Sequence, residues 1–177
     1  MTVETKKEIF SWVKTILGAV ILAYIITTFI IVNAVVPTGS MKDTIMPGDR
    51  LVAFRLSYLF SEPERYDIVV FRYPDDEDTL YVKRIIGMPG DTINIVEGKV
   101  YVNDSKEPIK DEFIREEMIG SFGPYTVPEG CYFMLGDNRN DSKDSRYWEN
   151  TYVKEEKILG KVIFKYFPKI ELLTNKW

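Results

Sequence analysis

Residues Thr15 to Val36 carry no charge across 22 positions, TILGAVILAYIITTFIIVNAVV. At about 1.5 Å per residue such a helix covers roughly 30 Å, the hydrocarbon thickness of a bilayer. The run is apolar on all sides rather than striped, which suits lipid better than the core of a globular domain. Asn33 is its clearest polar member, and its threonines can bond their own helical backbone. A cleaved leader would need a shorter apolar stretch and a small-x-small exit, which Asn33-Ala34-Val35-Val36-Pro37 does not supply. The expectation is a transmembrane helix over 15–36, with residues 1–14 before it and one folded domain over 37–177. Lys6, Lys7 and Lys14 precede the span, so the positive-inside rule places residues 1–14 in the cytoplasm. The chain then crosses a membrane once, with its folded domain extracytoplasmic.

The chain has no histidine and one cysteine, Cys131. That excludes Ser-His-Asp and Cys-His mechanisms, imidazole zinc sites, intrachain disulfides and CxxC clusters. A hydrolase built from these residues must use lysine or a carboxylate as its general base. No metal and no cofactor is implied. Residues 37–177 hold 20 basic and 25 acidic residues, a net charge of -5, which argues against a nucleic-acid partner. Cys131, in an apolar stretch, reads as core packing.

Beyond Pro37 the signals are those of strands. Candidates are 50–56, 67–73, 80–87, 92–96, 99–102, 131–135 and 160–167. Met46-Pro47-Gly48-Asp49 and Met88-Pro89-Gly90-Asp91 are near-copies, each fit for a type II turn with glycine at the positive-φ position. Glu97-Gly98 joins two short strands, and 74–79 reads as a loop. Helical periodicity is weak except near 111–118 and 154–158. The fold class expected is mostly β: one N-terminal transmembrane helix, then an antiparallel β-sheet domain with a small β-rich cap over approximately 97–130.

Three polar islands interrupt this framework. The first is Pro37-Thr38-Gly39-Ser40-Met41, where glycine leaves a serine room for exposure, with a second hydroxyl two residues away; a polar turn leaving the membrane helix is the competing reading. The second is Lys83, within Leu80-Tyr81-Val82-Lys83-Arg84-Ile85-Ile86. Alternation places it with Tyr81 and Ile85 on one apolar face. Burial disfavours the charged form of such a lysine, and a neutral amine can deprotonate a serine. A structural ion pair or a snorkelling side chain is the competing reading. The third runs from Gly136-Asp137-Asn138-Arg139 to Asp144-Ser145-Arg146, and its spacing does not match a calcium-binding EF-hand loop.

In order along the chain, these boxes resemble the type I signal peptidase (leader peptidase) family of bacteria. The match runs from the span and serine box, through Tyr66-Asp67-Ile68-Val69-Val70-Phe71 and Tyr81-Val82-Lys83-Arg84-Ile85-Ile86-Gly87-Met88-Pro89-Gly90-Asp91, to Gly136-Asp137-Asn138-Arg139 and Asp144-Ser145-Arg146-Tyr147-Trp148. The resemblance implies a membrane-anchored serine endopeptidase that removes signal peptides from exported preproteins after an Ala-x-Ala-like site. It makes Ser40 the nucleophile and Lys83 the general base. Thr38 and the Ser40 N–H become the oxyanion hole, and Ser142 the residue that orients the lysine. Val36, Pro37, Met41, Ile45, Tyr81 and Val82 line the substrate pockets, and Arg84, Asp144 and Arg146 form structural ion pairs. Implied partners are signal peptides, the lipid bilayer and the secretion translocon. The alternative is a catalytically inactive, membrane-tethered binding homologue. Two departures stand out: Glu149 replaces the usual Gly after Tyr-Trp, and Lys42-Asp43-Thr44 replaces a commoner Pro-Thr sequence.

Overall fold

The structure is a computed structural model, and it describes residues 3–173. One long helix, α1 (Val3–Ile25), ends in a wider π-helical turn over Ile26–Ile30. Eleven strands follow among the described residues: β1 (Ile31–Val35), β2 (Arg50–Phe54), β3 (Ile68–Tyr73), β4 (Asp76–Gly87), β5 (Thr92–Val96), β6 (Lys99–Val102), β7 (Phe122–Thr126), β8 (Cys131–Leu135), β9 (Val153–Lys154), β10 (Ile158–Phe167) and β11 (Glu171–Leu172). The larger sheet has the order β1-β2-β10-β3-β4-β8-β9, with β11 paired to β10. The smaller sheet has the order β6-β5-β7. Every pairing is antiparallel, so the protein is mostly β behind a single apolar helix.

Residues 5–30 form a helix long and apolar enough to cross a membrane, and none of its most apolar stretch is buried. The helix differs from the expected 15–36 at both ends. It starts earlier, and 31–35 is strand rather than helix. Ile31 to Val35 is rich in β-branched residues, and its backbone pairs with β2 in register from Ile31↔Phe54 to Val35↔Arg50. Asn33, polar for a span, accepts a hydrogen bond from the Tyr166 hydroxyl at 2.9 Å. Within the helix, Thr27 donates its hydroxyl to the Ala23 carbonyl at 2.8 Å, the local bond that makes threonine tolerable there.

The centre of the larger sheet is buried on both faces, and β3 shows how the sequence achieves it. Ile68 and Val70 join a cluster with Val36, Met41, Ile45 and Leu51. Val69, Phe71 and Tyr73 join another with Ile85, Met134 and Trp148. Each fully buried residue of this kind contributes about 1.5–3 kcal/mol. The paired Pro-Gly turns form as expected, with Gly48 at φ 90° and Gly90 at φ 82°. In both, the closing aspartate also accepts the N–H of the leading methionine, Met46 to Asp49 at 2.9 Å and Met88 to Asp91 at 2.7 Å.

The small sheet stands where a cap was expected, but it begins at Thr92 rather than near 97. Its core of Ile93, Ile95, Val100, Phe113 and Met118 merges with Ile86 and Phe133 of the larger sheet. No helix forms over 111–118; the segment is a series of turns, with Ile114 N–H bonded to the Asp111 carbonyl. Phe113 and Met118 are fixed by burial rather than by a helical ladder. The loop expected over 74–79 is a hairpin, since β4 extends back to Asp76, where Asp76 accepts the Thr79 hydroxyl at 2.6 Å. Cys131 packs against the small-sheet core, and burial pushes its thiol up.

Candidate active site

Ser40 lies in an irregular segment between β1 and β2, closed by one helical turn in which Ile45 N–H reaches the Met41 carbonyl. Met41 and Ile45 are buried in the core, which pins this turn beneath the sheet. Lys83 stands on β4 opposite Val69 of β3, on the same face as Tyr81 and Ile85. It is only 4% exposed. Its Nζ lies 2.5 Å from Ser40 Oγ and 5.2 Å from the centre of the Tyr81 ring. Burial pushes the Lys83 amine down to about 8, against a smaller upward pull from Asp144 and Asp137. The amine is therefore partly neutral near neutral pH and touches the hydroxyl it would deprotonate.

Thr38 is exposed, with its Oγ1 3.5 Å from Ser40 Oγ. Both hydroxyls open into a groove of about 600 Å³. One wall is Asn33 to Met41 and the other is Thr79 to Lys83, with Asp141 and Lys143 at the rim. The groove follows an incomplete strand pairing. On one side β4 pairs with β3 from Leu80 through Arg84, whereas β8 joins its other side only from Arg84 onward. The outer edge of Leu80–Lys83 has no strand neighbour among the described residues.

The expected pocket residues divide. Val36, Pro37, Met41, Tyr81 and Val82 line the groove. Ile45 does not: it is completely buried behind Met41 in the core. Tyr81 is stacked flat on Tyr73 at 4.4 Å and edge-on to Trp148, an aromatic cluster that fixes the ring beneath Lys83.

The ion pairs also divide. Arg146 and Asp144 bond each other at 2.7 and 2.8 Å, both buried. Arg84 instead makes a two-pronged pair with Asp137, at 2.8 and 2.6 Å, and each side chain is 1% exposed. Ser142 is brought against the Ser40 loop. A Cβ on Gly136 would clash with Ser142 Oγ and with the Ser40 carbonyl, so only glycine lets these two segments meet. Yet Ser142 Oγ is buried without a hydrogen bond to any described residue. The expected contact with the lysine is not made, because Lys83 Nζ is directed at Ser40.

Sequence reasoning missed how the third island grips the first. Asn138 donates its backbone N–H to the Ser40 carbonyl and its side-chain amide to the Gly39 carbonyl, both at 3.0 Å. Thr44 donates to Asp137 at 2.6 Å. Asp111 of the cap holds Arg139 at 2.7 and 3.1 Å. The polar composition of the island carried the signal, but spacing alone does not name the partners. The two sequence departures have structural counterparts. Asp43 adopts φ 77°, a conformation closed to proline. The N–H groups of Glu149 and Asn150 both bond Asp75, tying the loop exit to the β3–β4 hairpin.

A hydroxyl against a buried amine, in a groove beside an open strand edge, is an arrangement suited to hydrolysing an extended peptide. The family model "Signal peptidase, peptidase S26" matches residues 9–167. "Probable signal peptidase I-2" of Synechocystis is 39% identical over 169 residues, covering 92% of this chain and 76% of that one. The signal peptidase I of Bacillus licheniformis is 37% identical over 171 residues, covering 92% and 91%. A solved signal peptidase I from Enterococcus faecalis V583 superposes with a TM-score of 0.48 at 32% identity, covering 57% of this chain and 97% of that one. The chain belongs to the S26 signal peptidase family and is a serine endopeptidase.

Proposed function

We propose that this protein removes signal peptides from exported preproteins, with Ser40 as nucleophile and Lys83 as general base. The contact that carries the reading is Lys83 Nζ to Ser40 Oγ at 2.5 Å, with the amine buried and its pKa pushed down to about 8. In a chain without histidine this pair supplies both the attacking oxygen and the proton acceptor.

Substrate adds as a strand along Leu80–Lys83, whose outer edge has no strand neighbour among the described residues. Its side chains then alternate toward the shallow apolar surface of Val36, Met41 and Val82, which admits alanine-sized groups. Lys83 takes the Ser40 proton as Oγ bonds the carbonyl carbon. Thr38 Oγ1 and the Ser40 N–H receive the oxyanion, a contribution of about 3–4 kcal/mol for one such donor. Protonated Lys83 passes its proton to the leaving amine. The neutral amine then activates water against the acyl-enzyme.

Residues 5–30 anchor the enzyme, with Lys6, Lys7 and Lys14 on the cytoplasmic side and the groove outside. Because β1 follows the helix directly and forms one wall of the groove, the site stands close above the bilayer, where signal peptides emerge.

The test is a preprotein with an Ala-x-Ala site, incubated with the full-length enzyme in detergent. Wild type cuts after the second alanine, and Ser40→Ala and Lys83→Ala each lose at least roughly 1,000-fold. Near-normal turnover by either variant refutes the dyad. Binding without cleavage by wild type identifies an inactive homologue.

A further inference from the structure

Two carbonyls flank the Cα of Ser40, those of Gly39 and of Ser40 itself. Asn138 binds both, one through its backbone N–H and one through its side-chain amide, each at 3.0 Å. A trans peptide unit is planar, and its C=O and N–H point in opposite directions. The Gly39 carbonyl and the Ser40 N–H share one such unit. Fixing the carbonyl on one side fixes the direction of the N–H on the other. The Ser40 carbonyl shares the next unit with the Met41 N–H, so both planes beside the nucleophile are tied to the same residue. Neither φ nor ψ of Ser40 can turn without breaking one of these bonds.

The Gly39 carbonyl also accepts the Lys42 N–H at 3.0 Å. That donor belongs to the same turn and moves with it. Asn138 comes from a loop 99 residues further on. That loop is anchored independently: Asp137 is locked to buried Arg84, and Arg139 to Asp111 of the cap. Asn138 thus supplies an external reference for the two peptide planes beside Ser40, in a turn that Thr44 and the buried Met41 and Ile45 also hold. Gly136 makes room for it, since the backbone there passes too close to the Ser40 carbonyl for any Cβ.

We propose that Asn138 is a positioning residue for the oxyanion hole: its grip on the Gly39 carbonyl aims the Ser40 N–H at the charge that develops on the substrate oxygen. This rests on the assignment of Ser40 as nucleophile. Asn138 touches no substrate atom. It matters to the transition state, where the N–H must meet an oxyanion, far more than to the ground state, where the substrate is held by strand pairing.

The experiment compares wild type with Asn138→Asp and Asn138→Ala, full-length in detergent, on an Ala-x-Ala peptide. Asn138→Asp keeps the side-chain shape and the backbone bond to Ser40, but removes the donor to Gly39. Both variants are expected to lose on the order of 10- to 100-fold in kcat, with KM within about threefold. The second readout is inhibition by a peptide ending in alaninal against the same peptide ending in alaninol. The aldehyde is attacked by Ser40 Oγ: an O–C bond forms, the C=O π bond breaks, the hydroxyl proton passes to Lys83, and the former carbonyl oxygen takes the negative charge. The alcohol makes no such oxyanion. The variants are expected to bind the aldehyde at least tenfold more weakly and the alcohol unchanged. Equal loss for both inhibitors, or an unchanged kcat in Asn138→Asp, overturns the proposal. Full activity in Ser40→Ala would instead overturn the nucleophile assignment, so the two failures are distinguishable.

Discussion

Replacing Lys83 by methionine should make the protein more stable at neutral pH while abolishing its activity. The side chain keeps a similar length, so the change isolates the amine. Burial lowers the Lys83 pKa from its ordinary 10.5 to about 8. At about 1.4 kcal/mol per pH unit, this amounts to about 3 kcal/mol of disfavoured charge. Above pH 10.5 the amine is neutral whether the chain is folded or not, and the burden is absent. Between pH 10.5 and 8 the unfolded chain binds a proton that the folded one does not, so stability falls as pH falls through this window. Below pH 8 both states are charged and the full burden stands.

Methionine never carries that burden, but it loses the bond to Ser40, about 1 kcal/mol at every pH. The variant should therefore exceed wild type by about 2 kcal/mol at pH 7 and trail it by about 1 kcal/mol at pH 10.5. The assay is urea unfolding of both full-length proteins in the same detergent across that range. Tryptophan fluorescence is a suitable signal, because Trp148 is buried beside Tyr81. Other titrating groups cancel in the difference. A difference that stays flat from pH 7 to 10.5 would refute the reasoning, since it would mean that the amine is not desolvated by folding.

The same pKa predicts that kcat/KM rises about tenfold per pH unit below about 8 and levels off above it, measured as initial rates from pH 6 to 9. Gly136→Ala should reduce cleavage at least about tenfold and lower Tm, because its Cβ would drive Ser142 away from the Ser40 carbonyl; peptide cleavage and a thermal melt check it. Asp137→Ala should cost about 3–5 kcal/mol in urea unfolding, because it leaves the Arg84 guanidinium buried without its carboxylate.

What the sequence made legible followed from period and turn chemistry. The strands 92–96, 99–102 and 131–135 stand where alternation and turns placed them, because each has a clear apolar face and a turn at its end. The apolar helix was legible in kind but not in its end. Ile31 to Val35 is as hydrophobic as lipid requires, and only the partner strand β2, 19 residues later, makes it a strand. The Asp111–Met118 segment failed for the converse reason. Its few apolar residues serve as plugs for the small-sheet core and need no helical period. At the site, residue types alone left Ser40 and Lys83 open to plainer readings; the family resemblance singled them out, and the structure brings them into contact. The partners of Arg84 and Asn138 did not announce themselves, because a hydrogen bond across 53 or 99 residues leaves no local pattern.

The buried arginines gain a role from this arrangement beyond tying loops together. Asp137 and Asp144 lie close enough to Lys83 to draw its pKa upward. Unopposed, two buried carboxylates would hold the amine protonated and remove the base. Each is instead covered by a two-pronged guanidinium, Asp137 by Arg84 and Asp144 by Arg146. A paired carboxylate projects little net field onto a neighbour, so desolvation remains the larger influence on the lysine. The carboxylates remain available for structure, Asp137 accepting from Thr44 and Asp144 from the Gly136 N–H. The arginines thus allow a loop rich in acids to close against a lysine that, as the proposed general base, has to lose its proton.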